Sequence, residues 1–182
     1  GTEANNLAVK GIMLAALGDG RRHLITTPIE HESILESAAF LQRFHGIEVT
    51  LVPVDDVGRV SPDRVAAALR PDTALVTIGH ANNEIGTVQD AAGLRAVTRA
   101  QGVPLHLDAV QSAGWLPLAG LGADALSIAG HKLGAPKGIG ALAVRGRVPL
   151  EPLLHGGGQE RGRRSGTENV AGAVALATAL EL

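Results

Sequence analysis

The sequence predicts an α/β fold: three layers, α/β/α, around a mainly parallel sheet. Three observations predict it. Short runs of Ala, Val, Leu and Ile recur along the chain, and strands buried on both faces read as such unbroken apolar runs. These runs alternate with helical segments over short connections, the β-α-β-α pattern of a doubly wound sheet. Hydrophobic residues make up 45% of the chain but aromatics only 2%, so the core must be built from the aliphatic residues that suit such strands.

Each element follows in order. Thr2 is the expected N-cap of an amphipathic run from Leu7 to Leu17, and the free N–H groups of such a first turn make an anion site. His23 to Pro28 reads as a short strand that delivers Glu30-His31-Glu32-Ser33 to a helix running to about His45. Glu48 to Val54 is the next strand. After a turn, Ser61-Pro62-Asp63 opens a helix ending near Leu69, with proline at its first position. Thr73 to Gly79 is a strong apolar strand that ends in His80-Ala81-Asn82-Asn83-Glu84. Asp90 to Gln101 is a helix. Val103 to Leu107 is a strand ending in Asp108, and Trp115 to Gly122 is a linker. Asp124 to Ala129 is a buried strand that stops at Gly130-His131-Lys132. Ile139 to Val144 reads as its hairpin partner. A loop with three glycines and three arginines, His155 to Asn169, leads to a closing Ala/Leu-rich helix capped by Ser165 or Thr167.

Composition narrows the function. A net charge of −2 gives no case for nucleic acid or an anionic membrane as partner, and no apolar run approaches membrane-spanning length. The absence of cysteine removes disulfides and thiolate metal sites and is compatible with a cytoplasmic location, the one expected; no metal site is expected. The 24 glycines cluster in loops, which suggests tight turns around a ligand. No strand precedes Gly1 and no Gly or Asn cap follows Leu182, so the expectation is a single domain, 1–182, that is part of a longer protein.

The chemistry-bearing residues fall where strands end. In open α/β sheets ligands sit outside the carboxyl ends of the strands. Lysine, aspartate, glutamine, asparagine and histidine all lie there: Lys132, Asp108, Gln111, Asn83 and His31. Read singly, each has a plainer role. Lys132 is an exposed loop lysine, His31 a helix cap, Asn82-Asn83-Glu84 a polar turn, and Asp108 a turn former. Read together they meet the needs of pyridoxal phosphate, which requires a lysine for its Schiff base and a carboxylate against its ring nitrogen. A helix N-terminus with hydroxyl groups suits the phosphate.

The motifs Gly1-Thr2-Glu3-Ala4-Asn5-Asn6, Glu30-His31, Asn82-Asn83-Glu84-Ile85-Gly86, Asp108-Ala109-Val110-Gln111-Ser112, Gly130-His131-Lys132, Gly138-Ile139-Gly140-Ala141-Leu142, His155-Gly156-Gly157-Gly158-Gln159-Glu160-Arg161 and Arg164-Ser165-Gly166-Thr167 occur in this order. In this the chain resembles the class V aminotransferases of fold type I, and within them the cysteine desulfurases of the iron–sulfur-assembly type. The resemblance covers essentially all of the chain. It implies the large, cofactor-binding domain of a pyridoxal 5'-phosphate enzyme. Lys132 would be the Schiff-base lysine and later the base at the substrate α-carbon. Asp108 would pair with the pyridinium nitrogen and Gln111 with the phenolic oxygen. His31 would stack on the ring and take part in acid–base steps. Asn83 would touch the phenolic oxygen or the substrate carboxylate. Gly1, Thr2 and His131 would hold the phosphate. Thr167 would complete the phosphate site of a neighbouring subunit in a homodimer. The implied substrate is L-cysteine and the implied recipient a sulfur-acceptor scaffold protein, with selenocysteine lyases, other C–S lyases, aminotransferases and an inactive cofactor-binding fragment as alternatives. The chain departs from the family at Ala129, where a hydroxyl residue usually stands three before the lysine. It also lacks the persulfide cysteine and the arginine that grips the substrate carboxylate.

Overall fold

In the computed structural model, which describes residues 1–182, the apolar runs form six strands: β1 His23–Thr26, β2 Glu48–Leu51, β3 Thr73–Gly79, β4 Leu105–Asp108, β5 Ala125–Ala129 and β6 Gly140–Val144. They make one sheet of order β2-β1-β3-β4-β5-β6. The first five are mutually parallel, and β6 pairs antiparallel with β5 as its hairpin partner. The carboxyl ends of five strands therefore share one edge of the sheet.

Six α-helices cover the sheet: α1 Thr2–Asn6, α2 Ile12–Ala16, α3 Glu32–His45, α4 Pro62–Ala68, α5 Ala91–Ala100 and α6 Val170–Glu181. Besides a small cluster of Ala109, Ala113, Ile128 and Leu176, two larger aliphatic cores lie on the sheet's two faces. One gathers Val9, Ile12, Met13 and Ala16 with Ile34, Ala38 and Leu41, over Leu24 and Leu75. The other gathers Val65, Ala91 and Leu94 over Ile25, Val76, Ile78, Leu105 and Leu107. Neighbours such as Leu24 and Ile25 point to opposite faces and both are fully buried, which is why these strands read as continuous apolar runs. The expected three-layer α/β/α architecture is the one observed.

The helix ends depart from the sequence reading in two places. Thr2 is not a cap: the cap position is Gly1, no side chain closes that end, and Thr2 is already helical and exposed. The closing helix α6 is capped neither by Ser165 nor by Thr167 but by Asn169, whose side chain accepts from the Gly172 N–H. A cap must sit immediately before the first helical residue to reach the free amides, and the loop carries those two hydroxyls too far upstream. Elsewhere the caps follow local chemistry. Ser61 caps α4 with Pro62 at its first position, and Asp90 caps α5. The strands are also shorter than read, with β1 ending at Thr26 and β2 at Leu51.

One irregularity brings the first helix against the sheet. Between α1 and α2 the chain stays helical but widens into a π turn over Leu7–Gly11. Gly11 sits in that turn against Leu150 and Glu151; a Cβ there would lie 2.7 Å from the Glu151 carbonyl oxygen and 2.8 Å from the Leu150 side chain. No helix of the chain is long and apolar enough to cross a membrane.

Candidate active site

The loops that leave β1, β3, β4 and β5 enclose one cleft, lined among others by His31, Asn83, Asp108, Gln111 and Lys132. Each is delivered by its strand. Asp108 is the last residue of β4, registered against Gly79 of β3 and Ser127 of β5. Lys132 closes a single 3-10 turn, Gly130–Lys132, that follows β5 directly. Gly130 is needed there, because a Cβ would meet Ile139 at 2.7 Å. The Lys132 ammonium donates to Gln111 Oε1 at 2.8 Å. Amine and carboxylate thus stand at the ends of adjacent strands and line one cleft together with Gln111.

Asp108 is 8% exposed. Its Oδ1 accepts from the Val110 N–H at 2.9 Å and its Oδ2 from Asn5 Nδ2 at 2.7 Å. Asn5 Nδ2 also donates to Ser33 Oγ at 2.9 Å. His31 caps α3: its Nδ1 accepts from the Ser33 N–H at 3.0 Å and lies 2.8 Å from Ser33 Oγ. The plain helix-cap reading of His31 therefore holds together with its place on the cleft.

The Asn82-Asn83-Glu84 run divides its labour. Asn82 folds the loop, accepting from the Glu84 and Ile85 amides and donating to the Ile29 carbonyl. Asn83 is left exposed on the cleft. Gln89 locks the neighbouring turn, accepting from Val60 N–H and donating to Gly58 C=O.

Four residues singled out from sequence do not line this cleft. Gly1 stands beside it: a Cβ there would be 2.9 Å from Val110 and 3.3 Å from the Ala129 methyl. The glycine lets the first helix begin tight against the strand ends, and the buried Ala129 supplies no hydroxyl at that place. Thr2 and His131 are exposed outside it, and so is Thr167 in the 155–169 loop. That loop is not free. Arg164 donates to Glu3 at 2.8 Å, tying it to the first turn of α1. Glu160 and Arg161 both take left-handed backbone angles, φ 50° and 59°, an arrangement uncommon without glycine.

Three residues escaped the sequence reading as parts of the site. Asn5 and Ser33 are one pair. The signal for Asn5 was present: it lies four before Val9 and seven before Ile12, on the apolar stripe of its helix, where a polar side chain needs a buried partner. Glu30 is the third. Its carboxyl group accepts from Thr27 Oγ at 2.6 Å and from the Gly79 N–H at 2.7 Å. Removal from water raises its pKa to about 7, against the pull of those two hydrogen bonds. Beneath the cleft, His106 bridges Thr77 Oγ1 at 2.8 Å and Ser127 Oγ at 2.9 Å. Burial lowers its pKa to about 4, opposed by Asp108.

The whole chain, residues 1–182, matches the family model for aminotransferase class-V. It is 46% identical over 184 residues to the cysteine desulfurase IscS of Dictyoglomus turgidum, covering 100% of this chain and 46% of that protein. Among solved structures it is similar to DndA from Streptomyces lividans, with TM-score 0.93 and 44% identity over 99% of this chain and 52% of that one. It is also similar to SspA in complex with cysteine, with TM-score 0.92 and 42% identity over 99% of this chain and 52% of that one. The chain spans about half the length of the curated relatives it matches.

Proposed function

The chain belongs to the aminotransferase class-V family, and from that premise we propose that it is the cofactor-binding large-domain part of a pyridoxal-phosphate-dependent cysteine desulfurase, acting on L-cysteine to release L-alanine. One observation carries the reading: the Lys132 amine, 2.8 Å from Gln111, shares a cleft with the buried carboxylate of Asp108 on the neighbouring strand end. The similarity to IscS proteins, and to SspA with its bound cysteine, supports the substrate.

The donor set fits pyridoxal phosphate. There is one lysine, one buried carboxylate held in place by two N–H donors, and an amide beside the lysine. When bound, that cofactor supplies an aldehyde that takes up an amine covalently and a ring that draws electrons from the substrate α-carbon. Lys132 is the amine. Once the substrate has taken its place, Lys132 takes up and returns the proton at the α-carbon. Asp108, held by the Val110 N–H and Asn5, would pair with the ring nitrogen. Gln111 would hydrogen-bond the ring's phenolic oxygen, and His31 would cover the ring. Asn83 reaches the phenolic oxygen or the substrate carboxylate. Gly1, Thr2 and His131, which lie outside the cleft lining, would hold the phosphate beyond it, and Thr167 would complete that site from the neighbouring subunit of a homodimer. The chain contains no cysteine, so the thiol that receives the sulfur comes from outside these residues, and the persulfide passes to a scaffold protein for iron–sulfur or thio-cofactor assembly in the cytoplasm.

The test is borohydride reduction of the full-length protein loaded with pyridoxal phosphate, followed by peptide mapping, beside an assay of alanine released from L-cysteine. Wild type should carry the label on Lys132 and release alanine; Lys132→Ala should lose both, with at least a thousandfold drop in rate. A label on another lysine, or a Lys132→Ala variant that still turns over, refutes the assignment.

A further inference from the structure

We propose that Asn5 and Ser33 are positioning residues that hold His31 in the tautomer with its proton on Nε2, so that His31 presents an N–H donor to the cleft. The inference rests on the reading of the cleft given above, and it follows from which groups can donate. A backbone amide only donates. The Ser33 N–H meets His31 Nδ1 at 3.0 Å, which favours Nδ1 as the acceptor and the proton on Nε2 in the neutral ring; the Ser33 hydroxyl supplies the second donor that completes the bias. Ser33 Oγ is 2.8 Å from the same nitrogen.

The direction of the second bond is set from further away. The Asp108 carboxylate, an acceptor, faces the Asn5 amide at 2.7 Å, so Nδ2 must be turned toward it. The other hydrogen of Nδ2 goes to Ser33 Oγ at 2.9 Å. With its oxygen accepting from Asn5, the Ser33 hydroxyl sends its own hydrogen to His31 Nδ1. All bonds run outward from Asn5, toward Asp108 on one side and through Ser33 to His31 on the other. The arrangement leaves Asn5 Oδ1 buried without a partner, a condition that is unfavourable and rare. Flipping the amide would aim that oxygen at the carboxylate and break the chain, so the orphan is the lesser penalty. Residues 103 apart in sequence are thus joined into one relay.

The consequence is chemical. Nδ1 is occupied twice, inside the first turn of α3, and Nε2 is the nitrogen left for the cleft. Neutral His31 donates a hydrogen bond there through its Nε2–H, and it has no free ring nitrogen to take up a proton unless the cap at Nδ1 breaks. It serves the reaction as a hydrogen-bond donor, and Lys132 is left as the base.

Ring-nitrogen NMR on full-length protein with 15N-labelled histidine tests this, with His31→Gln identifying the signals. Spectra are taken without pyridoxal phosphate, so that they stand even if L-cysteine is not the substrate; failure of the wild type to release alanine would instead count against the function itself. Wild type should show a protonated Nε2 and an unprotonated Nδ1. Ser33→Ala should move both signals toward a mixture of tautomers and lower kcat roughly fivefold, the effect of one lost hydrogen bond, with KM and pyridoxal phosphate content unchanged. Ser33→Thr should restore both readouts, and Asn5→Ala should reproduce the Ser33→Ala shift. A wild-type proton on Nδ1 overturns the proposal. So do Ser33→Ala signals that match wild type, or ring signals that move while kcat does not.

Discussion

Glu30 sits one residue before His31 and does something different. Its carboxyl group pins the loop after β1 to the end of β3 through the Gly79 N–H, and its pKa is raised to about 7 from 4.5. The folded state therefore holds a proton that the unfolded state releases, and Glu30 makes stability fall as pH rises from about 4.5 to 7. The buried histidines act the other way. His106 is lowered to about 4 from 6.5, and burial lowers His23 and His80 as well. Each favours the fold when neutral, and that stability is lost as pH falls through 6.5 toward the folded value. Over their shared range the carboxyl group offsets part of the histidine slope. Glu30→Gln should therefore lose stability more steeply than wild type between pH 6.5 and 4.5, by on the order of 2 kcal/mol across that span. Denaturant melts at several pH values measure it; parallel curves for the two proteins would refute the shift. None of this was legible in the sequence, where Glu30 reads only as a partner of His31. Its environment is made by Thr27 and Gly79, and only the second is remote along the chain.

At the scale of elements, the π turn over Leu7–Gly11 sets the seating of the first helix. Glycine inside a helix is normally unfavourable by about 1 kcal/mol relative to alanine. Gly11→Ala should nonetheless destabilise the protein by about 1–3 kcal/mol, because its Cβ would enter the Glu151 carbonyl and the Leu150 side chain. Gly18, with nothing within 4 Å of a built Cβ, is the control: Gly18→Ala should be neutral or stabilising. Thermal melts of the two variants decide it, and equal effects would remove the close approach from consideration. The existence and order of the elements were readable because periodicity is local. Ends were less so. Thr2 has good capping chemistry, yet the helix starts a residue earlier than such a cap allows, since Gly1 can lie against Val110 and Ala129.

For the molecule as a whole, the end of the sheet away from the cleft is closed by one carboxylate. Asp124, 3% exposed, accepts from Arg95 at 2.9 Å, Arg147 at 2.6 Å and the Leu105 N–H at 3.1 Å. It joins α5, the start of β4 and the segment after β6. Asp124→Ala should cost about 1–3 kcal/mol, because it strands the sheltered Arg95 and the Leu105 N–H while the exposed Arg147 returns to water; a urea midpoint unchanged from wild type would show the cluster to be ornamental to stability. Nothing in the sequence marks Asp124 beyond its place before an apolar strand. The sequence alone determined the alternation of strands and helices, the aliphatic core, and which residues fall at the carboxyl ends of strands, because each of these is a pattern among near neighbours. Tertiary structure alone decided which of those residues meet. The pairing of Asn5 with Asp108 and of Arg164 with Glu3, 103 and 161 positions apart, follows from the strand order and the seating of the first helix on the sheet, and no local periodicity encodes either.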